Sequence, residues 1–409
     1  MKWLHRLRKN ERGNVLYIAA ASMPLLVGAA AMGIDTIQLS LWKRQLQRAA
    51  DSSAIAAAYA MAQEADPEAA VTRDLARNNY ITVDDDEVVP GAFGAFTQAV
   101  TVTLDSQREL TFMGMFLDTQ PNLEATATAA VVAAGEFCMI SLYDGDEETG
   151  IDVSGNAEIR LGCGVSTNAG GDNAIVATGS SLVDASPIAA VGSLNPSSNY
   201  GPNTKLLPYS MKQMDPFSSV PNPSSSPCVP GTQLKGGTTT TGGGCYASMN
   251  VKNGETLTLA PGTYTFTGDL DIKGTVKHTA GTTGVTLVMT GPTTAGGGVN
   301  AGDLKMTSDG SLQLSAPETG DYAGIVLYRD RRADHAEQTV NGHSSSAIQG
   351  AIYMPSSNIK MNGSADMSSQ CLQLIGYILK INGGTDILNT CPANSASQAI
   401  KRTVVRLVA

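Results

Sequence analysis

The chain lacks any excess of positive charge. Its 409 residues carry a formal net charge of −10, while the first twelve are basic, so the remainder is more acidic still. Such a field disfavours phosphate contacts, and nucleic acid is not expected as a partner. Also missing are a nucleophile elbow, a P-loop and a dinucleotide fingerprint. Neither a CxxC spacing nor a Cys/His cluster suggests zinc. No cofactor, no metal site and no enzyme are therefore expected. Aromatics are scarce at 5%, whereas there are 43 glycines and many Thr, Ser and Asn, so the far half is built for turns and short strands.

One further absence is local. No charged residue occurs from Val15 to Ile34, and at about 1.5 Å per helical residue this run spans roughly 30 Å, the thickness of a bilayer's hydrocarbon core. Pro24 lies in the middle, where a membrane helix tolerates it with a gentle kink. Ahead of the run, Lys2, Arg6, Arg8, Lys9 and Arg12 favour a cytoplasmic N-terminus. Lys43, Arg44 and Arg48 follow the span, which weakens the bias. The competing reading is a cleaved secretory signal, with Ala29, Ala30 and Ala31 near a cut. Against it, the helical pattern continues past Asp35 through Ile37, Leu41 and Leu46 to about Gln63, whereas signal apolar regions run about 7 to 15 residues. Ala49, Ala50, Ser53, Ala54, Ala57 and Ala60 form a small-residue face that calls for a partner helix.

All six cysteines, Cys138, Cys163, Cys228, Cys245, Cys371 and Cys391, follow the span. That distribution supports disulfides in an oxidising periplasmic or extracellular compartment. Sequential pairing (138 with 163, 228 with 245, 371 with 391) closes short loops; buried free thiols are the alternative.

The length allows two or three domains. After a cytoplasmic segment, 1–12, and the long helix, 13–63, residues 64–136 read as a small α+β module. Asp66 and Pro67 give an N-cap and first-turn proline for a helix ending near Asn78 and Asn79. An acidic turn, Asp84 to Glu87, precedes the alternating strand Ala99 to Leu104. Ser106 to Glu109 reads as a capping box opening a helix through Leu117, and Leu123 to Val132 alternates again. From Phe137 to the end one pattern recurs: apolar, spacer, apolar, spacer, glycine. It appears at Ile151–Gly155, Leu270–Gly274, Ile359–Gly363 and Leu379–Gly383, with a weaker copy at Ile175–Gly179. The last two strong copies are twenty residues apart. This period predicts a right-handed parallel β-helix over 137–409, with a β-sandwich as the alternative. Residues 195–244, rich in Pro, Ser, Gly and Thr, read as a loop insertion.

The densest polar cluster is Arg329 to Glu337, with Asp330, Asp334, His335 and three arginines. It could abstract a proton while holding an acidic sugar, so a membrane-tethered carbohydrate-binding or polysaccharide-degrading protein is the alternative function. The plainer reading is a charged loop at a strand corner. His343 is too far from His335 to make a metal pair. Asp144 to Gly150 departs from the EF-hand pattern and reads as an acidic surface turn.

Arg12 to Ala58 closely resembles the N-terminal domain of TadG-like proteins of the Flp (tight adherence) pilus assembly system. The matching features are Arg12-Gly13-Asn14, Pro24, Gly33 with Asp35, and Leu46 through Asp51 to Ala58. The resemblance implies a single-pass inner-membrane component of the pilus apparatus, a minor pilin or pseudopilin among the forms described. It implies partners among pilins and other pilus assembly proteins, met through the N-terminal helix. TadE-like relatives carry a glutamate five residues after a cleavable glycine; here Ile18 stands there, which argues against processing after Gly13. The von Willebrand A domain of many relatives, with its DxSxS metal motif, has no counterpart.

Overall fold

The computed structural model describes residues 14–78, 80–115, 120–224, 232–341, 343–362, 366–369, 371–384, 386–389 and 400–409. The basic segment and Gly13 lie outside these. The chain divides into two compact units, residues 1–132 with 404–409, and residues 133–403.

In the first unit, helix α1 (Asn14–Ala62) runs through Pro24. Helix α2 (Pro67–Arg77) starts as expected: the Asp66 carboxylate accepts the Glu68 N–H at 3.0 Å and proline occupies the first turn. Strands β1 (Asp85–Phe93), β2 (Phe96–Gln107) and β3 (Asn122–Ser141) come next, paired antiparallel in order. β3 belongs to this unit up to Val132. Alternation sets the two faces of β2. Val100, Val102 and Leu104 turn inward against Leu46, Ala50, Ala54 and Ala57 of α1, while Thr101 and Thr103 face Thr128 and Thr126 at hydroxyl distances of 2.9 and 3.2 Å. The last residues of the chain join this unit, where the Thr128 N–H donates to the Ala409 carbonyl at 2.7 Å.

Two local expectations are corrected here. Asp85, Asp86 and Glu87 belong to β1 rather than to a turn, since they pair with Asp105, Leu104 and Thr103. The capping box at Ser106 opens no helix among the described residues; the chain makes a single 3₁₀ turn, Met113–Met115, a few residues further on. Ser106 is buried, and its hydroxyl donates backward to the Thr82 carbonyl at 2.7 Å, so it has no contact with a helix N-terminus to make.

The second unit is built from short parallel strands. One nine-stranded sheet runs Gln233–Lys235, Ser248–Val251, Leu270–Ile272, Leu304–Met306, Glu337–Val340, Asn358–Met361, Leu379–Ile381, Ile151–Val153, Ile175–Ala177. All five glycine-terminated copies fall in this sheet, and four of them are direct neighbours. Ile359, Leu379, Ile151 and Ile175 share one register column; Met361, Ile381, Val153 and Ala177 share another. These side chains are buried, and each strand's middle residue points away from the core. Glycine at the turn is required by the stacking. Gly155 and Gly179 have φ of +73° and +72°, and a Cβ on Gly179 would stand 2.9 Å from the Gly155 carbonyl. Gly363 lies outside the described residues.

A second sheet repeats the same order with longer strands, among them Val285–Met289, Ile325–Arg329, Ala347–Met354, Leu372–Gly376, the end of β3, and Gly164–Thr167. Several are buried at every position, as sheets covered on both faces are. The order along both sheets differs from the order along the chain. The strands of 233–389 come first, and the earliest strands of the unit, from Phe137 onward, stack beyond Leu379–Ile381. The chain therefore crosses back between Leu206–Leu207, at one extreme of the second sheet, and Gly244–Tyr246, at the other. The stretch read from sequence as a loop insertion, 195–244, thus holds strands at both of its ends. Between them Phe217 and Val220 pack onto the second sheet's outer face, beside Tyr353 and Tyr328. We call residues 208–224 the strap.

Candidate functional sites: an apolar helix and an arginine cluster

α1 is two different helices in one. Tyr17, Ile18, Leu25, Leu26, Val27, Met32, Ile37 and Leu41 are all exposed. From Leu46 onward Ala49, Ala50, Ala54, Ala57 and Ala58 are buried. Its apolar part is long and hydrophobic enough to cross a membrane, with a mean hydropathy of 1.7 over its best window and none of that window buried. The small-residue face meets a partner helix, α2, and a sheet as well. It is used inside the unit, against Val71 of α2 and Val100, Val102, Ala127 and Ala129 of the sheet. Ser53 within that face donates to Asp74 of α2 at 3.2 Å. Small residues serve here to bring the sheet close to the helix. What remains free for lipid or another protein is the segment Tyr17–Ile34, with Ile37 and Leu41 beyond it.

Asp35 marks the junction of the two parts. It is 1% exposed, and its carboxylate accepts the N–H groups of Phe112 and Met113 at 3.2 and 2.6 Å. The Thr111 hydroxyl donates to Gln38 at 3.0 Å beside it. This contact was not foreseen, although a lone carboxylate closing a charge-free run was a signal that something must neutralise it.

The arginine cluster is gathered at one strand end, and each member is committed to the fold. Arg329 is fully buried. Its guanidinium donates to the Asp334 carboxylate at 2.8 Å, to Ser357 Oγ at 2.8 Å and to the carbonyls of Asp334 and Gly302. Asp330 is buried too, and it accepts from Thr290 at 2.7 Å and from Arg332 through both the backbone and the guanidinium. Burial opposes ionisation of Asp330, yet the Arg332 and Thr290 bonds outweigh it and hold the carboxyl below the usual range. The Arg329 hydrogen bond lowers Asp334 likewise. Arg331 reaches the strap: it donates to the carbonyls of Phe217 and Ser218 at 2.7 Å, to that of Val220 at 3.1 Å, and to the Tyr353 hydroxyl at 3.2 Å. Arg332 adds a bond to the Pro223 carbonyl at 2.9 Å. Tyr353 in turn donates to Asp215 of the strap at 2.5 Å. Burial first, and the Asp215 charge second, push the Tyr353 phenol well up.

The remaining members go elsewhere. His335 stacks on Tyr377 at 4.1 Å with Nδ1 2.7 Å from the Ser356 carbonyl oxygen, and Glu337 pairs with Lys360 at 3.1 Å. The side chains read as a base and an arginine for an acidic sugar are each hydrogen-bonded within the protein. Arg331 and Arg332 clasp the strap. In the acidic turn, Asp144 pairs with Lys212 at 2.6 Å, which lowers its carboxyl, while the Tyr143 hydroxyl accepts the Glu147 and Glu148 N–H groups. His343 contacts Ser345. Among the described residues no group of three or more His, Cys, Asp or Glu side chains is placed to hold a metal.

Cys138 and Cys163 form a disulfide with Cα atoms 5.9 Å apart. Cys245 and Cys371 are each engaged in a disulfide as well, not with one another. Cys228 and Cys391 lie outside the described residues.

The exposed apolar part of α1 is thus a candidate membrane span, and it continues without a break into the helix that packs inside the first unit. Residues 13–62 are matched by a family model described as putative Flp pilus-assembly TadE/G-like. The matched segment is α1 with Gly13 before it, both the exposed and the packed part. No curated protein and no solved structure matches the chain.

Proposed function

We propose that the chain is a membrane-anchored structural or assembly component of a Flp/Tad-type pilus, held in the bacterial inner membrane by α1. Its N-terminus is cytoplasmic, its two units are exported, and the second is a right-handed parallel β-helix displayed for assembly or adhesion. The observation that carries this reading is the TadE/G-like match over α1, together with the exposure of Tyr17–Ile34. Parallel pairing of successive turns of chain in matching order in each sheet supports the β-helix, and right-handed crossovers are the rule for parallel strands. The basic segment ahead of the span and the cysteines beyond it support the orientation. A non-enzymatic role agrees with the engagement of the arginine cluster by the strap.

Partners among pilins and other assembly proteins would meet the exposed part of α1, because the alanine face is occupied. Deletion of the gene is expected to abolish or alter Flp-type pili and surface adherence; unchanged piliation and adherence would refute the proposal. Mass spectrometry of the mature N-terminus distinguishes a retained anchor from a pilin-like form cut after Gly13.

A further inference from the structure

We propose that Leu110–Met115 is a membrane-contacting loop, which Asp35 holds at the lipid headgroup boundary beside the end of the span. The proposal rests on the reading of α1 as a membrane anchor. It goes beyond that reading by giving the first unit a second, peripheral contact with the same bilayer.

The position of the loop is set by its bonds to α1. Asp35 and Gln38 fix Thr111, Phe112 and Met113 at the level of the first helical turn after the charge-free run ends at Ile34. The next charges on α1 are the exposed Lys43 and Arg44, and basic residues flanking a span are typical of the membrane–water interface; Trp42 beside them packs against the first unit's core. Eight helical residues from Asp35 to Lys43 rise about 12 Å. The headgroup layer on each side of a bilayer is about 5–8 Å thick. The loop is therefore held at the depth of that layer, between the hydrocarbon end of the helix and its first charges.

The composition of the loop suits that depth. Met115 is 78% exposed and Met113 36%, with Gly114 between them and Phe112 half-buried. In water such a tip is left unfavourably hydrated; at the headgroup boundary the same side chains would be buried to the depth reached by interfacial amphipathic segments. Ile37, also exposed, adds an apolar side chain near the same level on the other side of α1. Asp35 answers the electrostatic problem this creates. A carboxylate at the edge of hydrocarbon is costly unless paired. Two backbone N–H groups satisfy it, and the satisfaction itself places the apolar tip. One lipid surface thus accounts for the exposed methionines, the level of the loop and the burial of Asp35.

The test uses the full chain in liposomes, with Trp3 and Trp42 replaced by Phe and Met115→Trp as reporter. Met113→Trp serves as a second reporter should the first misfold. Lipids brominated near the headgroup are expected to quench the reporter strongly, and lipids brominated deep in the acyl chain to quench it less. Asp35→Ala is expected to reduce shallow quenching, because the loop loses both bonds that hold it, while the chain still resists alkaline extraction. If the chain resists extraction yet the reporter is unquenched with water-like emission, the loop proposal fails and the anchor stands. Blue-shifted but unquenched emission would mean that protein, such as a second copy, covers the loop, and would also overturn it. If alkali releases the wild-type chain, the anchor reading fails and the loop proposal falls with it.

Discussion

Replacing Arg331 by alanine should free the strap and leave the sheets beneath it standing. The side chain makes three bonds to strap carbonyls, at 2.7, 2.7 and 3.1 Å, and one to Tyr353 at 3.2 Å. A hydrogen bond to a charged group is worth about 1.5–3 kcal/mol, but neighbouring bonds are not additive. Water reaches the half-buried site in the variant, so a loss of about 3 kcal/mol is a fair figure for the set. By the tenfold per 1.4 kcal/mol rule, local opening of the strap becomes about 100 times more populated. Hydrogen exchange read by mass spectrometry should therefore quicken by about two orders of magnitude in peptides covering 208–224, with Ile151–Val153 and Leu379–Ile381 unchanged. Arg331→Lys keeps the charge and loses the planar fork, so it should fall between the two. If Arg331→Ala leaves strap exchange at the wild-type rate, the clasp does not hold the strap and the account of the cluster is wrong.

Packing and charge give three further expected outcomes. Gly155→Ala forces a left-handed φ of +73° on a residue with a Cβ, 3.0 Å from the Gly383 backbone nitrogen; a loss of about 1–3 kcal/mol is expected in denaturant melts of the second unit. Ala54→Leu, at a fully buried position facing the sheet, should cost about 1–3 kcal/mol or more by overpacking, and proteolysis of the first unit would report it. The clasp should also have a pH window. Asp330 and Asp334 have folded values below the ordinary 3.8, so their stabilisation is complete above that value and lost as pH falls through the lowered one. Tyr353 is raised above 10, so its contribution is intact below pH 10 and lost as pH rises through the folded value. Strap protection, taken as exchange relative to the intrinsic amide rate at each pH, should be flat between these limits and fall at both ends.

The glycine-terminated copies were legible because each carries two inward apolar residues and a tight turn, and all of them entered one sheet. Four other strands of that sheet escaped notice, Gln233–Lys235 among them because it lies in the stretch read as a loop. Met249-Asn-Val251 and Leu304-Lys-Met306 reach their glycines, Gly254 and Gly310, only after extra residues, and Gln338 puts a polar side chain in the inward position. That glutamine is tolerated because its side-chain oxygen accepts the Leu304 N–H at 2.6 Å. The order of stacking was not legible at all, since a strand's sequence records which face is buried and says nothing of which neighbour it meets. The strap was hidden by its composition: Phe217 and Val220 are isolated among Pro and Ser, and an arginine clasp more than a hundred residues away leaves no local trace. The Arg329–Glu337 cluster was found as a cluster, and its role depended on partners that only the fold supplies. On α1 the exposed span was readable from missing charge, and the alanine face gave its contact type and its helical partner, while the sheet it also meets left no sign in its sequence.

The order of the strands also has a temporal consequence. Ser141 donates its hydroxyl to the Tyr377 carbonyl, 236 residues further along the chain. Phe137–Ser141 therefore has no neighbour on that side until Leu372–Gly376 has been made. A ribosome delivers the early strands first, and loop closure over such a separation is slow. The second unit cannot assemble as a zipper from its N-terminal end. Its seam closes last, at the meeting of its oldest and newest strands, so a chain truncated before residue 372 would leave an open edge where an intact one has an interior.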